Sequence, residues 1–281
     1  MSIIALFGAA GKMGARIAAK LKKVPGYRVL HVEAGQAGLA RLRAQGVEPA
    51  APEQAAQQAD AVVLAVPDVL IGRVSAQVVP LLKPGAMLIC LDPAAPLAGE
   101  LPPRADVSYF VVHPCHPPII NDETMPEARA DFFGGIARQN LVCALMQGPE
   151  ADYARGEALA RAMFAPVMRV HRLTVEQIAL LEPAMSETTT LTLLFAVREG
   201  MEEAIRHGVP VPAARDFMLG HLNAIVNILF GPSGVDVSDG AKLAVRRAQP
   251  LLLQPDWKQV FEPENVREQV RAIVEGSKRG T

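Results

Sequence analysis

The stretch Gly8-Ala9-Ala10-Gly11-Lys12-Met13-Gly14 decides the fold of this chain. It follows the apolar run Ile3–Phe7 and opens a segment with Met13, Ile17 and Leu21 on one helical face. Its G-x-x-G-x-x-G spacing is a variant of the glycine pattern that joins a strand to a helix in dinucleotide-binding domains. The first glycine allows the tight turn, the second lets backbone approach a pyrophosphate, and the third lets helix and strand pack closely. Free amides at the helix start then bind the phosphates.

A carboxylate ends the second predicted strand, about 20 residues further on, where such domains hold the adenine ribose. This residue is Glu33, and it is followed by Ala34, Gly35 and Gln36, none of which is an arginine that could hold a 2′-phosphate. The sequence therefore favours NAD over NADP. A solvent-exposed strand end is the alternative reading of Glu33.

Further apolar runs alternate with helical segments and predict the remaining strands of a sheet covered on both faces. The predicted strands after Ile3–Phe7 are Arg28–Glu33, Ala61–Val66, Met87–Leu91, Tyr109–Val112, Leu141–Met146 and Val167–His171. From Thr174 onward only helical segments follow. We expect an α/β protein with an N-terminal Rossmann domain, a doubly wound parallel sheet, over residues 1–172, and an all-α substrate and dimerisation domain over residues 173–281.

Composition narrows the class of protein. The 281 residues include 28 Lys+Arg and 29 Asp+Glu, so the overall charge gives no reason to expect nucleic acid or an anionic membrane as partner. Three widely spaced cysteines do not form a disulfide framework, and the first residues lack the basic region of a signal peptide. We therefore expect a cytoplasmic protein.

The cofactor site is predicted from the glycine loop and from the ends of the following strands, where loops meet the cofactor. Val66-Pro67-Asp68 ends the third strand, and Asp68 is either a site residue or a helix N-cap. Asp92 ends the fourth strand and is either a site residue or a turn former. The predicted cofactor-binding residues are Gly8, Ala10, Gly11, Lys12, Met13, Gly14, Glu33, Val66, Pro67 and Asp68.

Two histidines follow the fifth strand in His113-Pro114-Cys115-His116-Pro117-Pro118. The proline-rich segment is stiff and should hold them at the carboxyl edge of the sheet, beside the nicotinamide. A neutral imidazole there can take the proton of a substrate hydroxyl, or it can ligate a metal. Both histidines are candidate catalytic residues, and a structural role is the alternative.

A carboxylate beside a helix break is the second candidate. Pro183 stands inside a helical stretch and should leave the carbonyl of Ala179 without its usual partner, which bends the helix. Glu182 lies at this bend among apolar neighbours, so it is either desolvated and paired or exposed. If it meets His113 or His116, the three form a histidine and carboxylate site with positions open for substrate.

Together these motifs resemble the D-apionate oxidoisomerase family, among the relatives of 6-phosphogluconate dehydrogenase. The blocks that carry the resemblance are Gly11–Gly14, Ala65–Asp68, Tyr109–Pro118, Leu145–Glu150 and Val175–Pro183, and they span most of the chain. His113–Pro118 is the most specific block, whereas the glycine loop alone would fit many unrelated reductases.

The resemblance implies NAD-dependent oxidation of the 2-hydroxyl of a branched sugar acid, followed by migration of a substituent to give 3-oxo-isoapionate. It also implies a divalent metal, such as zinc, that acts on both oxygens during the migration. His113, His116 and Glu182 are the expected ligands, and His113 is alternatively the base of the first step. Arg138, Arg172 or Arg198 is expected to hold the substrate carboxylate.

Other readings remain open at this point. A plain β-hydroxyacid dehydrogenase would use a lysine on the first long helix after the sheet, and residues 174–207 contain none. A prephenate dehydrogenase-like enzyme also places His-Pro after a strand but needs no metal. A non-catalytic NAD-binding sensor would not need paired histidines. The apolar face Leu191–Val197 suggests a homodimer, although it could pack within one subunit.

Overall fold

The structure is a computed structural model that describes residues 1–232 and 234–276. Its centre is a seven-stranded sheet in the order β2-β1-β3-β4-β5-β6-β7. The strands are β1 (Ser2–Phe7), β2 (Tyr27–Val32), β3 (Ala61–Leu64), β4 (Met87–Cys90), β5 (Ser108–Pro114), β6 (Gln139–Gln147) and β7 (Val167–Arg172). All seven predicted strands are present. The strand order reverses between β1 and β3, and ligands bind at such a switch point in open α/β sheets.

The predicted doubly wound parallel sheet is confirmed, and one strand pair departs from it. Strands β1 to β5 pair in parallel, but β6 runs antiparallel to β5, with Pro114 opposite Leu141. The connection from β5 to β6 contains only the four-residue helix Pro126–Arg129 and no crossover helix. Without a crossover, the chain re-enters the sheet from the edge at which it left. Both ends of this connection therefore lie at the carboxyl edge of β5.

Helices cover both faces of the sheet and bury β3 and β4 at every residue. One face packs Ile17 and Leu21 of the first helix with Leu159 and Met163, and the other packs Ile71. These helices are α1 (Lys12–Leu21), α2 (Gln36–Ala44), α3 (Pro52–Gln58), α4 (Asp68–Val78), α5 (Ala94–Leu97), α6 (Pro126–Arg129) and α7 (Ala151–Met163), with a 3-10 turn at Val79–Leu81.

The chain after β7 is helical, as predicted. Its helices are α8 (Val175–Ala179), α9 (Thr192–Arg206), α10 (Val211–Phe230), α11 (Asp239–Leu252) and α12 (Pro263–Glu275), with a 3-10 turn at Trp257–Phe261. A capping box begins α8, with Thr174 and Gln177 bonding each other's backbone amides. Between α8 and α9 the chain forms a π-helix over Leu180–Leu191, which contains Pro183. π-Helical turns are rare and are frequently found at functional sites.

The chain divides into two compact units. The first contains Met1–Pro183 and the chain from Val266 onward, and the second is Ala184–Asn265. Val266 and Val270 of α12 are buried. Glu182 belongs to the first unit, with the sheet. Within the described residues no helix is both long and apolar enough to cross a lipid bilayer.

Candidate active site at the carboxyl edge of the sheet

The glycine loop packs tightly against the end of β3. Gly8 has a φ of +77°, and a Cβ added to it would lie 2.2 Å from the carbonyl oxygen of Ala65. A Cβ on Gly14 would lie 2.1 Å from the carbonyl oxygen of Gly8. By helix geometry, the first amides of α1, among them those of Lys12 and Met13, have no carbonyl partner within the helix. The loop thus keeps the close approach and the free amides that a pyrophosphate requires.

Glu33 reaches the same loop from the end of β2. Its Oε2 accepts from the amide of Ala10 at 3.1 Å, and its Oε1 accepts from the amides of Ala34 and Gly35 at 3.0 and 3.3 Å. A carboxylate has about four lone-pair sites, so acceptor capacity remains for a ribose hydroxyl. Arg41 of α2 donates to the carbonyl of Ala10 at 3.4 Å. Glu33 is therefore fixed beside the glycine loop, and Arg41 is a neighbour that the sequence did not indicate.

The end of β3 supplies the next wall of this groove. A Cβ on Gly8 would lie 3.2 Å from a methyl of Val66, so Val66 adjoins the loop. Pro67 is the N-cap of α4, and Asp68 is the first residue of that helix. Asp68 therefore adds negative charge at the first turn, while its side chain does not act as the N-cap.

Three side chains meet at the carboxyl ends of β4 and β5. Asp92 follows β4, His113 lies in β5, and Glu182 lies in the π-helix after α8. Each brings one potential ligand atom to within 4.8 Å of the other two. Parallel neighbours such as β4 and β5 end at the same edge, and α8, which buries Val175 and Ile178 in the core, brings Glu182 there. We call Asp92, His113 and Glu182 the edge cluster.

The contacts of His113 fix which ring nitrogen faces Glu182. Its Nδ1 lies 2.9 Å from the carbonyl oxygen of Leu91. A carbonyl only accepts, so Nδ1 holds a proton, and in the tautomer that this bond favours Nε2 is an acceptor. That Nε2 lies 3.3 Å from Oε2 of Glu182. Two acceptors at this distance need a proton or a cation between them.

The charges of the edge cluster also favour a proton or a cation at this place. Burial raises the pKa of Glu182 to about 7; the negative charges of Asp92 and Asp68 add to this shift and His116 opposes it. Burial also raises the pKa of Asp92, against a backbone hydrogen bond and His113. Neither Glu182 nor Asp92 forms an ion pair with a lysine or arginine in the described part of the chain. Two half-buried carboxylates and an imidazole are a donor set that suits a divalent cation.

His116 lies beside the edge cluster but is not part of it. Its φ is 59°, in the left-handed region that non-glycine residues rarely adopt. Its Nδ1 lies 3.0 Å from the carbonyl oxygen of Phe133, and its ring meets that of Phe133 edge-on with centroids 5.3 Å apart. The centroids of His116 and His113 are 6.2 Å apart. Of the three ligands expected from the sequence, the structure brings His113 and Glu182 together with Asp92, and His116 lies next to His113.

The segment that carries Phe133 is held by one carboxylate. Asp131 accepts four backbone N–H bonds: Oδ1 from Phe133 and Gly134 at 3.3 and 2.9 Å, and Oδ2 from Ile136 and Ala137 at 2.8 and 3.0 Å. These bonds outweigh burial and hold the pKa of Asp131 below its ordinary value. The loop therefore presents Phe133 to His116 on a fixed backbone.

We expect Asp131→Asn to lower the free energy of unfolding by about 1–2 kcal/mol at pH 7, because the four backbone amides that donate to Asp131 lose their charged acceptor. A carboxyl whose pKa is lowered on folding stabilises the protein above its unfolded pKa, and this contribution disappears as pH falls through the folded value. The difference in Tm between wild type and variant should therefore shrink from pH 7 to pH 3. Asp122→Asn, which only removes an exposed ion pair with Arg138, is the control. A difference in Tm that is independent of pH would contradict the assignment.

Family models of known proteins match both the N-terminal and the C-terminal part of the chain. Residues 2–127 match the family model of the acetohydroxy acid isomeroreductase NADPH-binding domain, and residues 121–274 match that of the phosphogluconate dehydrogenase (decarboxylating) C-terminal region. The second match covers more than half of the chain.

Curated relatives align over nearly the whole length. The chain is 51% identical to a D-apionate oxidoisomerase of Cupriavidus necator, over 96% of this chain and 98% of that protein. It is 50% identical to a D-apionate oxidoisomerase of Rhizobium rhizogenes, over 97% and 100% respectively. A crystal structure described as a semialdehyde dehydrogenase NAD-binding protein from Cupriavidus necator, in complex with calcium and NAD, superposes with a TM-score of 0.94 at 50% identity, covering 97% of this chain and 99% of that one.

Proposed function

The chain belongs to the D-apionate oxidoisomerase family, and from that premise we propose that it oxidises and rearranges D-apionate with NAD as oxidant. The membership confirms the resemblance found in the sequence motifs. The observation that carries the proposal is the edge cluster. In it an imidazole and two carboxylates converge at the carboxyl edge of the sheet, the same edge at which the glycine loop follows β1. Such a site can bind the oxygens of a hydroxy acid and exchange protons with them.

The residues at the glycine loop fit NAD. The Gly8–Gly14 contact leaves no room for side chains where backbone must approach a pyrophosphate, and the bond from the Ala10 amide to Glu33 supports a role for that carboxylate at the ribose hydroxyls. Bound NAD supplies the acceptor for the hydride that leaves C2 of the substrate. Lys12 and Met13 contribute amides at the first turn of α1, and the Val66-Pro67-Asp68 turn forms the opposite wall.

The edge cluster fits a divalent cation, because an imidazole nitrogen and two carboxylate oxygens lie within 4.8 Å of one another. His113, Glu182 and Asp92 would hold it; zinc and calcium both accept oxygen ligands, and imidazole favours zinc. A bound cation supplies a Lewis acid for the two substrate oxygens. The relative in the solved structure was crystallised with calcium.

The side chains of this site then carry out the proton transfers of the reaction. His116 donates Nδ1–H to the carbonyl of Phe133, so its Nε2 is the free acceptor that takes the C2 hydroxyl proton as hydride leaves. This gives a 2-oxo acid with a tertiary hydroxyl at C3. When that hydroxyl loses its proton, a substituent migrates from C3 to C2, so the C3 oxygen becomes a carbonyl and the C2 oxygen regains a proton. The imidazoles of His113 and His116 and the carboxylates of the edge cluster lie close enough together to accept and donate the protons in these transfers.

Turnover of D-apionate is the direct test. Purified enzyme with NAD, D-apionate and Zn²⁺ or Ca²⁺ should produce one NADH per substrate, and ¹³C NMR should identify 3-oxo-isoapionate. An unrearranged 2-oxo acid would indicate a plain hydroxy-acid dehydrogenase. Full activity after treatment with EDTA would favour a metal-free site of the prephenate dehydrogenase type, and NAD binding without turnover of any sugar acid would indicate a sensor.

We also propose that the enzyme works as a homodimer in the cytoplasm. Neither α9 nor α11 buries any residue, and large apolar side chains such as Phe217, Leu229 and Phe230 are 67%, 61% and 79% exposed. Apolar surface of this extent favours association, and a second copy is the commonest partner. The free thiols of Cys90, Cys115 and Cys143 suit a reducing compartment.

A further inference from the structure

The three arginines expected to hold the substrate carboxylate already have carboxylate partners. Arg138 pairs with Glu123, Nε to Oε1 at 3.1 Å, and Arg172 forms a two-bonded pair with Glu150. Arg198 lies in the second unit, where it pairs with a glutamate one turn further along the same helix. An arginine whose N–H edge faces a protein carboxylate must break that pair to bind another. The charge that recognises the sugar acid should therefore come from elsewhere.

Arg16 is a cation of a different kind. It lies one turn into α1, directly after the glycine loop, and its guanidinium carbon is 4.4 Å from the ring centroid of Phe133. Throughout residues 1–232 and 234–276, no carboxylate forms an ion pair with it. A guanidinium stacked on a ring uses its face for that contact and keeps its planar edge of N–H donors for a carboxylate.

The ring beneath Arg16 leads directly to the edge cluster. Phe133 meets His116 edge-on at 5.3 Å between centroids, and the His116 and His113 centroids are 6.2 Å apart. The carbonyl of Phe133 accepts from His116, and Asp131 fixes the Phe133 amide. Arg16 is thus held at a set position between the dinucleotide loop and the two histidines.

We propose that Arg16 binds the carboxylate of the sugar-acid substrate, and that Phe133 positions it. This inference rests on the proposed function, since it names the group that recognises the acid end of the same substrate. A carboxylate on the fork of Arg16 places C1 at the glycine-loop side, and C2 and C3 then extend toward His116 and the edge cluster. The geometry also predicts a preference for an acid over its uncharged amide.

Substrate affinity of Arg16 variants is the test, measured with and without turnover. In Arg16→Gln, we expect KM for D-apionate at saturating NAD to rise by about 10–100-fold, the usual effect of losing a charge-assisted hydrogen-bond pair. Calorimetric titration of D-apionate into enzyme saturated with NADH should show the same weakening of Kd. Arg16→Lys should recover part of it, and Phe133→Leu should weaken binding less. Arg43→Gln, an exposed arginine of α2, is the matched control.

Binding of the uncharged amide of D-apionate distinguishes carboxylate recognition by Arg16 from the other roles that Arg16 could have. If Arg16 reads the carboxylate, Arg16→Gln weakens the acid but leaves the amide's affinity unchanged. A raised Kd for NAD with unchanged KM for the acid would overturn the proposal and assign Arg16 to the pyrophosphate. Unchanged affinity for both ligands would overturn it as well. Wild-type enzyme that binds no sugar acid would refute the proposed function instead.

Discussion

Glu182→Gln is expected to lower kcat/KM for D-apionate by about 10²–10³-fold, because several kcal/mol of Lewis-acid stabilisation are lost. The carboxylate that faces His113 Nε2 at 3.3 Å becomes an amide, whose N–H can donate to that nitrogen. A neutral hydrogen bond then fills the place where a cation would be held. Repulsion between Glu182 and Asp92 also disappears, so Tm should stay constant or rise.

Two measurements check this result together. Steady-state kinetics give kcat/KM, and calorimetric titration with Zn²⁺ and with Ca²⁺ gives the metal affinity, which should fall with the activity. Glu176→Gln, on the exposed first turn of α8, is the matched control and should change neither. Unchanged metal affinity in Glu182→Gln would remove Glu182 from the ligand set, and a large fall in Tm would mean that its role is structural.

Gly14→Ala is expected to raise the Kd for NAD by at least about 100-fold and to destabilise the fold by about 1–3 kcal/mol, the usual cost of overpacking. The new methyl would lie 2.1 Å from the Gly8 carbonyl oxygen and 2.9 Å from the Cα of Ala9. These are backbone atoms and cannot rotate away. Since the loop must shift to admit the methyl, the amides at the start of α1 move out of line with the phosphates.

Gly11→Ala separates the two effects. Its Cβ would lie 3.2 Å from the Gly8 carbonyl oxygen, a contact that a small adjustment relieves, so the free energy of unfolding should change little. Yet the predicted role of Gly11 is to let backbone approach the pyrophosphate, so the Kd for NAD should still rise. Fluorescence titration with NADH and thermal unfolding measure the two quantities. Equal NAD affinity in all three proteins would place the dinucleotide elsewhere.

The strands could be predicted because each is a short apolar run bounded by polar or proline-containing turns. Strand direction could not be predicted in the same way, because periodicity is identical for parallel and antiparallel strands. The evidence on direction lay in the connection after Pro114, where prolines replace the crossover helix that a parallel strand requires. Pro183 correctly indicated a helix irregularity, but the π-helix from Leu180 to Leu191 depends on packing that the sequence pattern does not display.

The candidate site was half predictable. His113 and Glu182 stood out because one follows a strand and the other adjoins a helix break. His116 was grouped with them because it follows the same strand in a proline-rich segment and because of the family resemblance, but the left-handed backbone at His116 turns its ring toward Phe133. Asp92 forms the turn that its position suggested, since Oδ1 accepts from the Ala94 amide at 2.7 Å, and its carboxylate also lies in the edge cluster. Arg16 carried no signal beyond its place one turn after the glycine loop.

Because β6 returns antiparallel to β5, the segment between them can vary in sequence without altering the sheet. The amide of Cys115 donates to the carbonyl of Asn140 at 2.9 Å, so the intervening segment leaves and rejoins the sheet at one point near the edge cluster. Insertions or exchanges within 117–138 can therefore reshape the substrate pocket while every strand pairing stays the same. Related enzymes that act on different acids are expected to diverge here first, and grafting this segment between them should transfer substrate preference.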